Sequence, residues 1–344
     1  YGNTFEHIVL TGQRDVGLEN DKNLVVARRL EIEGAPIAIR STTKNAMLAL
    51  MEADLHGDNP AGPAIQSEGA LYVRDLTTQG YARALAVGVE PIDGTDIAEY
   101  ASPGPYRLFG EPTISLGLPI EETPVIPYAP ISDWANVVDF GAGSGGDDTA
   151  AIQAGIDDGK STIYFPRGTY HPGKTIILRS TVRRVIGMMS TLEPPVGHEF
   201  GDSKNPKPIF RLDDGTNAVV IERFLLDASD AAPTPGAIFV EHDSPRTLLV
   251  ADITAKRDDR SFAYRSLHGA GTAFLENLSA GALSLEAKGQ RVFARALNGD
   301  GQFPPIDNAG AWLWVLGSIF SPIDWLLRAK CASGAAAWSR SRPS

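Results

Sequence analysis

The chain has 344 residues, 43% of them hydrophobic, and a formal net charge of -11 from 31 Lys and Arg against 42 Asp and Glu. Such a length gives a prior of about two domains, and the acidic balance repels phosphate backbones and argues against nucleic acid as a partner. No apolar run approaches the roughly 20 residues of a membrane span, and the single cysteine, Cys331, excludes both an intramolecular disulfide and a Cys/His zinc cluster. Gly 35 and Pro 24 imply many turns and few long helices. The opening Tyr1-Gly-Asn-Thr has neither the basic nor the apolar region of a signal peptide.

Residues 1–90 repeat. Phe5-Glu-His-Ile-Val-Leu-Thr-Gly12 aligns with Ala27–Gly34, Leu50–Gly57 and Val73–Gly80, and the closing glycines fall 22, 23 and 23 residues apart. Phe5, Ala27, Leu50 and Val73 share one column; Ile8, Leu30, Ala53 and Leu76 share another. Helical repeats run about 33 residues or more. A leucine-rich repeat has a suitable period, but its Leu/Asn pattern is missing. The spacing predicts a β-solenoid, in which short strands stack in parallel and bury an inward apolar column. Residues 91–133 break the period with Pro91, Pro103, Pro105, Pro112, Pro119, Pro124, Pro127 and Pro130. Because proline fixes φ and removes a donor, this stretch reads as a long, extended linker.

A second unit is expected over 134–320. It opens with Trp134-Ala-Asn-Val-Val-Asp-Phe-Gly-Ala-Gly, and Asp147 or Asp148 then caps a predicted helix. Ile152 and Ile156 lie one turn apart on that helix, and Gly159 stops it. Ser161–Tyr170 reads as strand, tight turn, strand. Later segments (Val219–Leu226, Leu248–Ile253, Ala273–Leu278, Val292–Leu297 and Ala311–Gly317) look like further coils at less regular intervals. Residues 321–344 fit no coil and read as an atypical tail.

The run Val138-Asp-Phe-Gly-Ala142, Asp147-Asp-Thr149, Ala151-Ile-Gln153, Tyr164-Phe-Pro166, Gly168 and Tyr170 resembles the entry segment of the pectate-lyase-like superfamily. The resemblance covers roughly 134–187. It implies a helix capping the end of a right-handed parallel β-helix, an all-β fold. Two such units in one chain, joined by a Pro-rich linker, resemble family-55 glycoside hydrolases, which act on β-1,3-glucans. The implied partner is a polysaccharide and the implied location extracellular or periplasmic; no membrane span is expected.

Glycoside hydrolysis needs two carboxylates, about 5 Å apart for retention and about 6.5–9.5 Å for inversion. Coils stack about 4.8 Å apart, so neighbouring coils meet either spacing. One column offers Glu222, Glu276 and Arg295, beside Arg223, Asp252 and Asn277; Glu222, Asp252 and Glu276 are the catalytic candidates, and Arg223 and Arg295 are candidate substrate contacts. The same polar pairs recur in the first unit as Glu6-His7, Arg28-Arg29, Met51-Glu52 and Arg74-Asp75, so the competing reading is a solvated corner of the repeat. A second cluster lies on irregular connections, where function concentrates: Asp227, Asp230, Glu241, His242 and Asp243, then Lys256–Arg260, Tyr264, Arg265 and His268. His242, Tyr264 and Arg265 are candidate sugar contacts, and Trp312 is a candidate stacking platform unless it is core. No cofactor or metal is expected for a hydrolase. Two other functions stay open: a polysaccharide lyase, which would admit Ca²⁺, and a non-catalytic glycan-binding or structural β-helix.

Overall fold

The computed structural model describes residues 2–88, 90–104, 115, 121–227, 234–256, 262–279, 282–299, 306–316, 319–320 and 327–329. Contacts divide the chain into two compact units, the first built on Tyr1–Glu121 and the second on Glu122–Val315. Both are parallel β-solenoids.

The first unit carries β1 (Gly2–Thr11), β2 (Val16–Asn20), β3 (Leu24–Glu33), β4 (Ile37–Ser41), β5 (Met47–Ser67), β6 (Ala70–Val87), β7 (Glu90–Ile92) and β8 (Asp96–Ser102). Strands β1, β3, β5 and β6 stack in parallel with the register the repeat predicts, Phe5 against Ala27, Ala27 against Leu50 and Leu50 against Val73. Ala27, Leu50 and Val73 are fully buried, as are Ile32, Leu55 and Ile65 on other sides of the coils. Each buried Leu or Ile contributes about 1.5–3 kcal/mol. The proline-rich stretch is not loop throughout. Its first part forms β7 and β8, which run antiparallel to β6, with Tyr100 opposite Val73 and Ile97 opposite Leu76. Residues 105–114 and 116–120 of the expected linker lie outside the described residues.

The second unit carries, in chain order, β9 (Trp134–Asn136), α1 (Thr149–Asp157), β10 (Thr162–Phe165), β11 (Thr169–Tyr170), β12 (Ile176–Leu178), β13 (Arg184–Leu192), β14 (Lys207–Leu212), β15 (Val219–Asp227), β16 (Ala237–His242), β17 (Leu248–Lys256), β18 (Phe262–Ser266), β19 (Ala273–Ser279), β20 (Ala282–Leu285), β21 (Arg291–Arg295), β22 (Asn298–Gly299), β23 (Ile306–Asn308) and β24 (Trp312–Leu316). They form two parallel sheets. The long sheet runs β24–β21–β19–β17–β15–β13–β10–β9, and the short sheet contains β12–β14–β16–β18–β20–β23. Between the sheets, Phe165, Phe210, Phe224 and Phe239 pack edge-on or tilted at centroid distances of 5.2–6.3 Å. Helix α1 carries buried Ile152 and Ile156 and packs against β9 and β12, and Gly159 beyond it takes a left-handed φ of 84°.

The recurring polar pairs acquire a structural meaning here. The second member of each pair has left-handed backbone: His7, Arg29, Glu52 and Asp75 in the first unit, and Met189, Arg223, Asp252, Asn277 and Ala296 in the second, all with φ between 50° and 65°. One such residue bends β1, β3, β5, β6, β13, β15, β17 and β19 in mid-strand, and Ala296 follows the end of β21. The first member is the last residue before the bend, and Arg28, Met51, Arg74, Glu222, Glu276 and Arg295 are all buried there. The C-terminal tail is described only at 327–329 (Leu327–Ala329), a short strand that pairs with β23, so the rest of the expected tail and Cys331 lie outside the described residues.

Candidate functional site

Alternation along the short sheet sets its outer face. In Phe210-Arg211-Leu212, Val240-Glu241-His242, Tyr264-Arg265-Ser266 and Leu283-Ser284-Leu285 the flanking residues turn inward and the middle one outward. Register stacks these middle residues into one column, Arg211–Glu241–Arg265–Ser284–Asp307. Arg265 sits between two acids: Nη1 lies 3.5 Å from Glu241 Oε2, and Nε donates to Glu286 Oε1 at 2.9 Å. Ser284 Oγ donates to the same Glu286 oxygen at 3.2 Å. Glu241 is only 7% exposed although it faces outward. Burial raises its pKa above the ordinary 4.5, outweighing the lowering by Arg265 and Arg211, and Asp243 and Glu286 add to the rise. Glu286 keeps a side chain 40% open to solvent. A desolvated carboxyl beside an open carboxylate is the arrangement that separates an acid from a base.

At the solenoid entry, Asp148 is buried and accepts from the amides of Gly143 and His171 at 2.8 and 2.7 Å, while Asp147 accepts from Gly173. Gln153 donates to Ile177 O at 3.1 Å and accepts from its amide at 2.9 Å, fastening α1 to β12. These motif residues are the pins that hold the cap on the first coil, and residues 134–187 match the family model described as Rhamnogalacturonase A/epimerase, pectate lyase-like. The protein fits the pectate-lyase-like parallel β-helix superfamily. The match supports a polysaccharide-related β-helix protein. No curated protein matches the chain significantly.

Within this pectate-lyase-like solenoid the sequence-selected residues scatter. The long sheet aligns Glu222 with Ala251, then Glu276, then Arg295. Asp252 and Arg223 stand one residue on, beside the column at the left-handed bend, where Asp252 accepts from Asn277 Nδ2 at 2.7 Å. The corner is not solvated here, because Glu222, Glu276 and Arg295 are 7–8% exposed beneath the segment 122–130. Glu276 pairs with Arg295 at 2.6 Å, Glu222 pairs with Arg184, and Thr123 Oγ1 bonds both Glu276 and Arg295.

His242 and Tyr264 are corrected as sugar contacts for a different reason: strand alternation turns both into the core, where each is fully buried. His242 Nε2 reaches Arg246 O at 2.8 Å, its Nδ1 lies 2.9 Å from Tyr264 OH, and Gln290 donates to that hydroxyl at 2.8 Å. Burial drops the His242 pKa to about 4 and pushes Tyr264 up. Fully buried Arg246 spends its guanidinium on the carbonyls of Asn217, Arg179 and Val182, and desolvation lowers it to about 10. Trp312 is 63% exposed, while Trp314 is half-buried and stacks on Phe293 at 4.8 Å. Asp230 and 257–260 lie outside the described residues.

The sequence reading passed over Arg211 and Glu286 and gave Glu241 no distinct role. The available signal was the outward slot of each strand, which only register reveals as one column. In the first unit, the bend residues His7, Arg29, Glu52 and Asp75 with Glu31 and Asp54 line a pocket of ≈ 380 Å³. There Arg29 donates to Glu52 at 2.6 Å and lies 3.2 Å from His7 Nε2. Among the described residues no three His, Cys, Asp or Glu side chains converge to hold a metal ion, and no helix is long and apolar enough to cross a membrane.

Proposed function

We propose that this protein is a polysaccharide-active glycoside hydrolase whose general acid is Glu241 and whose base is Glu286. The observation that carries the reading is the desolvated Glu241, held with a raised pKa and linked through Arg265 to an open Glu286. The first-unit pocket offers acids of comparable number, but Arg29 already engages Glu52 there, and no carboxyl among them is as enclosed as Glu241.

Glu241 and the strand that leads into Glu286 are two coils apart, and Arg265, 3.5 Å from one carboxylate and 2.9 Å from the other, draws the two groups to within about 9 Å of each other. We assign the pair to the inverting class, whose carboxyl groups stand about 6.5–9.5 Å apart. The protonated Glu241 gives its proton to the glycosidic oxygen as the bond from that oxygen to the anomeric carbon breaks. Glu286 takes a proton from water, whose oxygen attacks the anomeric carbon from the opposite face. Arg265 holds both carboxylates and Arg211 flanks the acid, so the charge that develops on Glu241 has a partner in place. The polysaccharide-related family also supports an extracellular site of action.

A panel of neutral and uronic-acid polysaccharides, scored for new reducing ends, tests the reading. Glu241→Gln and Glu286→Gln each lower turnover by about 10²–10⁴-fold in protein that is no less stable than wild type, and the first product has inverted anomeric configuration. Full turnover by Glu241→Gln sinks the assignment. An ultraviolet-absorbing unsaturated product points to a lyase, and binding without turnover points to a non-catalytic glycan binder.

A further inference from the structure

Segment 122–130 lies along the outer face of the long sheet without joining it. It contains Pro124, Pro127 and Pro130, and it is not part of any strand ladder. What holds it is side-chain chemistry. Thr123 places its hydroxyl between the Glu276 carboxylate and the Arg295 guanidinium. Ile126 offers its carbonyl to Arg184 Nη2. Tyr128 lays its ring 3.9 Å from the Arg184 guanidinium carbon and points its hydroxyl at Glu222, 3.5 Å away. Four charged side chains, Arg184, Glu222, Glu276 and Arg295, are thereby 5–8% exposed, while Val125 and Tyr128 on top are 60% and 53% exposed.

This is an unexpected way to fasten a permanent brace. Buried ion pairs recover little beyond their own desolvation, and an apolar seal of the same shape holds as well or better. The contacts instead have the character of sugar recognition. Thr123 shares its hydroxyl between a carboxylate and a guanidinium, Tyr128 points a second hydroxyl at a carboxylate, and a neutral carbonyl acceptor sits on a second guanidinium. The two Glu–Arg pairs also cancel in charge, which suits a neutral ligand.

We infer that this outer face is a binding row for a neutral oligosaccharide, and that segment 122–130 occupies it as a built-in stand-in that a glycan chain displaces. The row lies on the long sheet, whereas the hydrolytic pair lies on the short one, so it holds polymer rather than cutting it. The inference rests on the polysaccharide reading only for the class of ligand.

The test uses the full chain carrying Glu241→Gln and, as probe, a neutral β-1,3-linked gluco-oligosaccharide. Adding Thr123→Ala and Tyr128→Ala loosens the segment, and amide exchange at Val125 rises. The probe then binds about tenfold more tightly by calorimetry, because less of the protein is held in the closed form. A further Glu276→Gln removes that gain. Without the two alanines, saturating probe raises exchange at Val125 and Tyr128. Faster exchange with no gain in affinity makes the segment a brace and overturns the inference. Unchanged exchange in the double alanine variant overturns it too, because the named contacts then do not hold the segment. Normal hydrolysis by a protein whose segment never yields leaves the hydrolase reading standing and removes this one. A binding row without hydrolysis does the reverse.

Discussion

Burial sets the proton affinities of Glu241 and His242 in ways that act on stability with opposite sign. Glu241 has a folded pKa above 4.5, so the folded state holds its proton longer than the unfolded chain. Its contribution to stability is full below 4.5 and is lost as pH rises through the folded value. Glu241→Gln therefore gains on wild type as pH rises toward neutrality, which paired urea titrations below 4.5 and near neutrality will measure. Catalysis by a protonated Glu241 falls over the same rise. His242 is the mirror case. Its folded value of about 4 lies below the ordinary 6.5, so stability is intact above 6.5 and declines as pH falls from there to about 4. The full span is worth on the order of 3 kcal/mol. His242→Gln flattens that decline in urea titrations across the same range. Neither shift was legible in the sequence. Adjacent letters, Glu and His, face opposite sides of one strand, and only the alternation of β16 against its neighbours says which is which.

At the scale of one coil, the aromatic stack and the one-residue bend carry most of the order. Phe224 meets Phe165, Phe210 and Phe239 within 6.0 Å and has no exposed surface. Phe224→Ala costs about 3–5 kcal/mol, to be read from the urea midpoint. Met189 occupies the bend with φ of 56° and is 58% exposed, a position Asn tolerates better than other side chains. Met189→Asn stabilises by about 1 kcal/mol in the same assay. The period of 22–23 residues was legible because turn glycines and apolar columns repeat. The bend was not, because Arg29, Glu52, Met189, Arg223 and Ala296 carry no mark of left-handed backbone, and the residues that do favour it, His7, Asp75, Asp252 and Asn277, are scattered among them. Nor was the cover over Glu222 and Glu276. Thr123 and Tyr128 stand 153 and 94 residues away from those partners, and no local pattern links them.

Across a whole unit, each coil touches its neighbours and little else, so stability passes from rung to rung. The cap is where that chain begins. Asp148 holds the Gly143 and His171 amides, and removing its carboxylate leaves two donors without their acceptor. Asp148→Ala costs about 1–3 kcal/mol. Hydrogen exchange will show the loss of protection concentrated over 134–170, with β19 to β21 keeping theirs. The cap motif was the most readable part of the chain, since its glycines, paired aspartates and Tyr-Phe-Pro strand lie within one continuous stretch. The single left-handed residue in each coil has a further consequence for how such a chain tolerates change. A corner made of one residue has no slack. Adding or deleting a letter there swaps the inner and outer faces of everything up to the next turn, carrying Phe224 into water and Leu225 into the core. Length variation is thus barred from this edge and confined to the other corners, which makes it the edge along which homologous coils should be aligned and away from which foreign loops should be grafted.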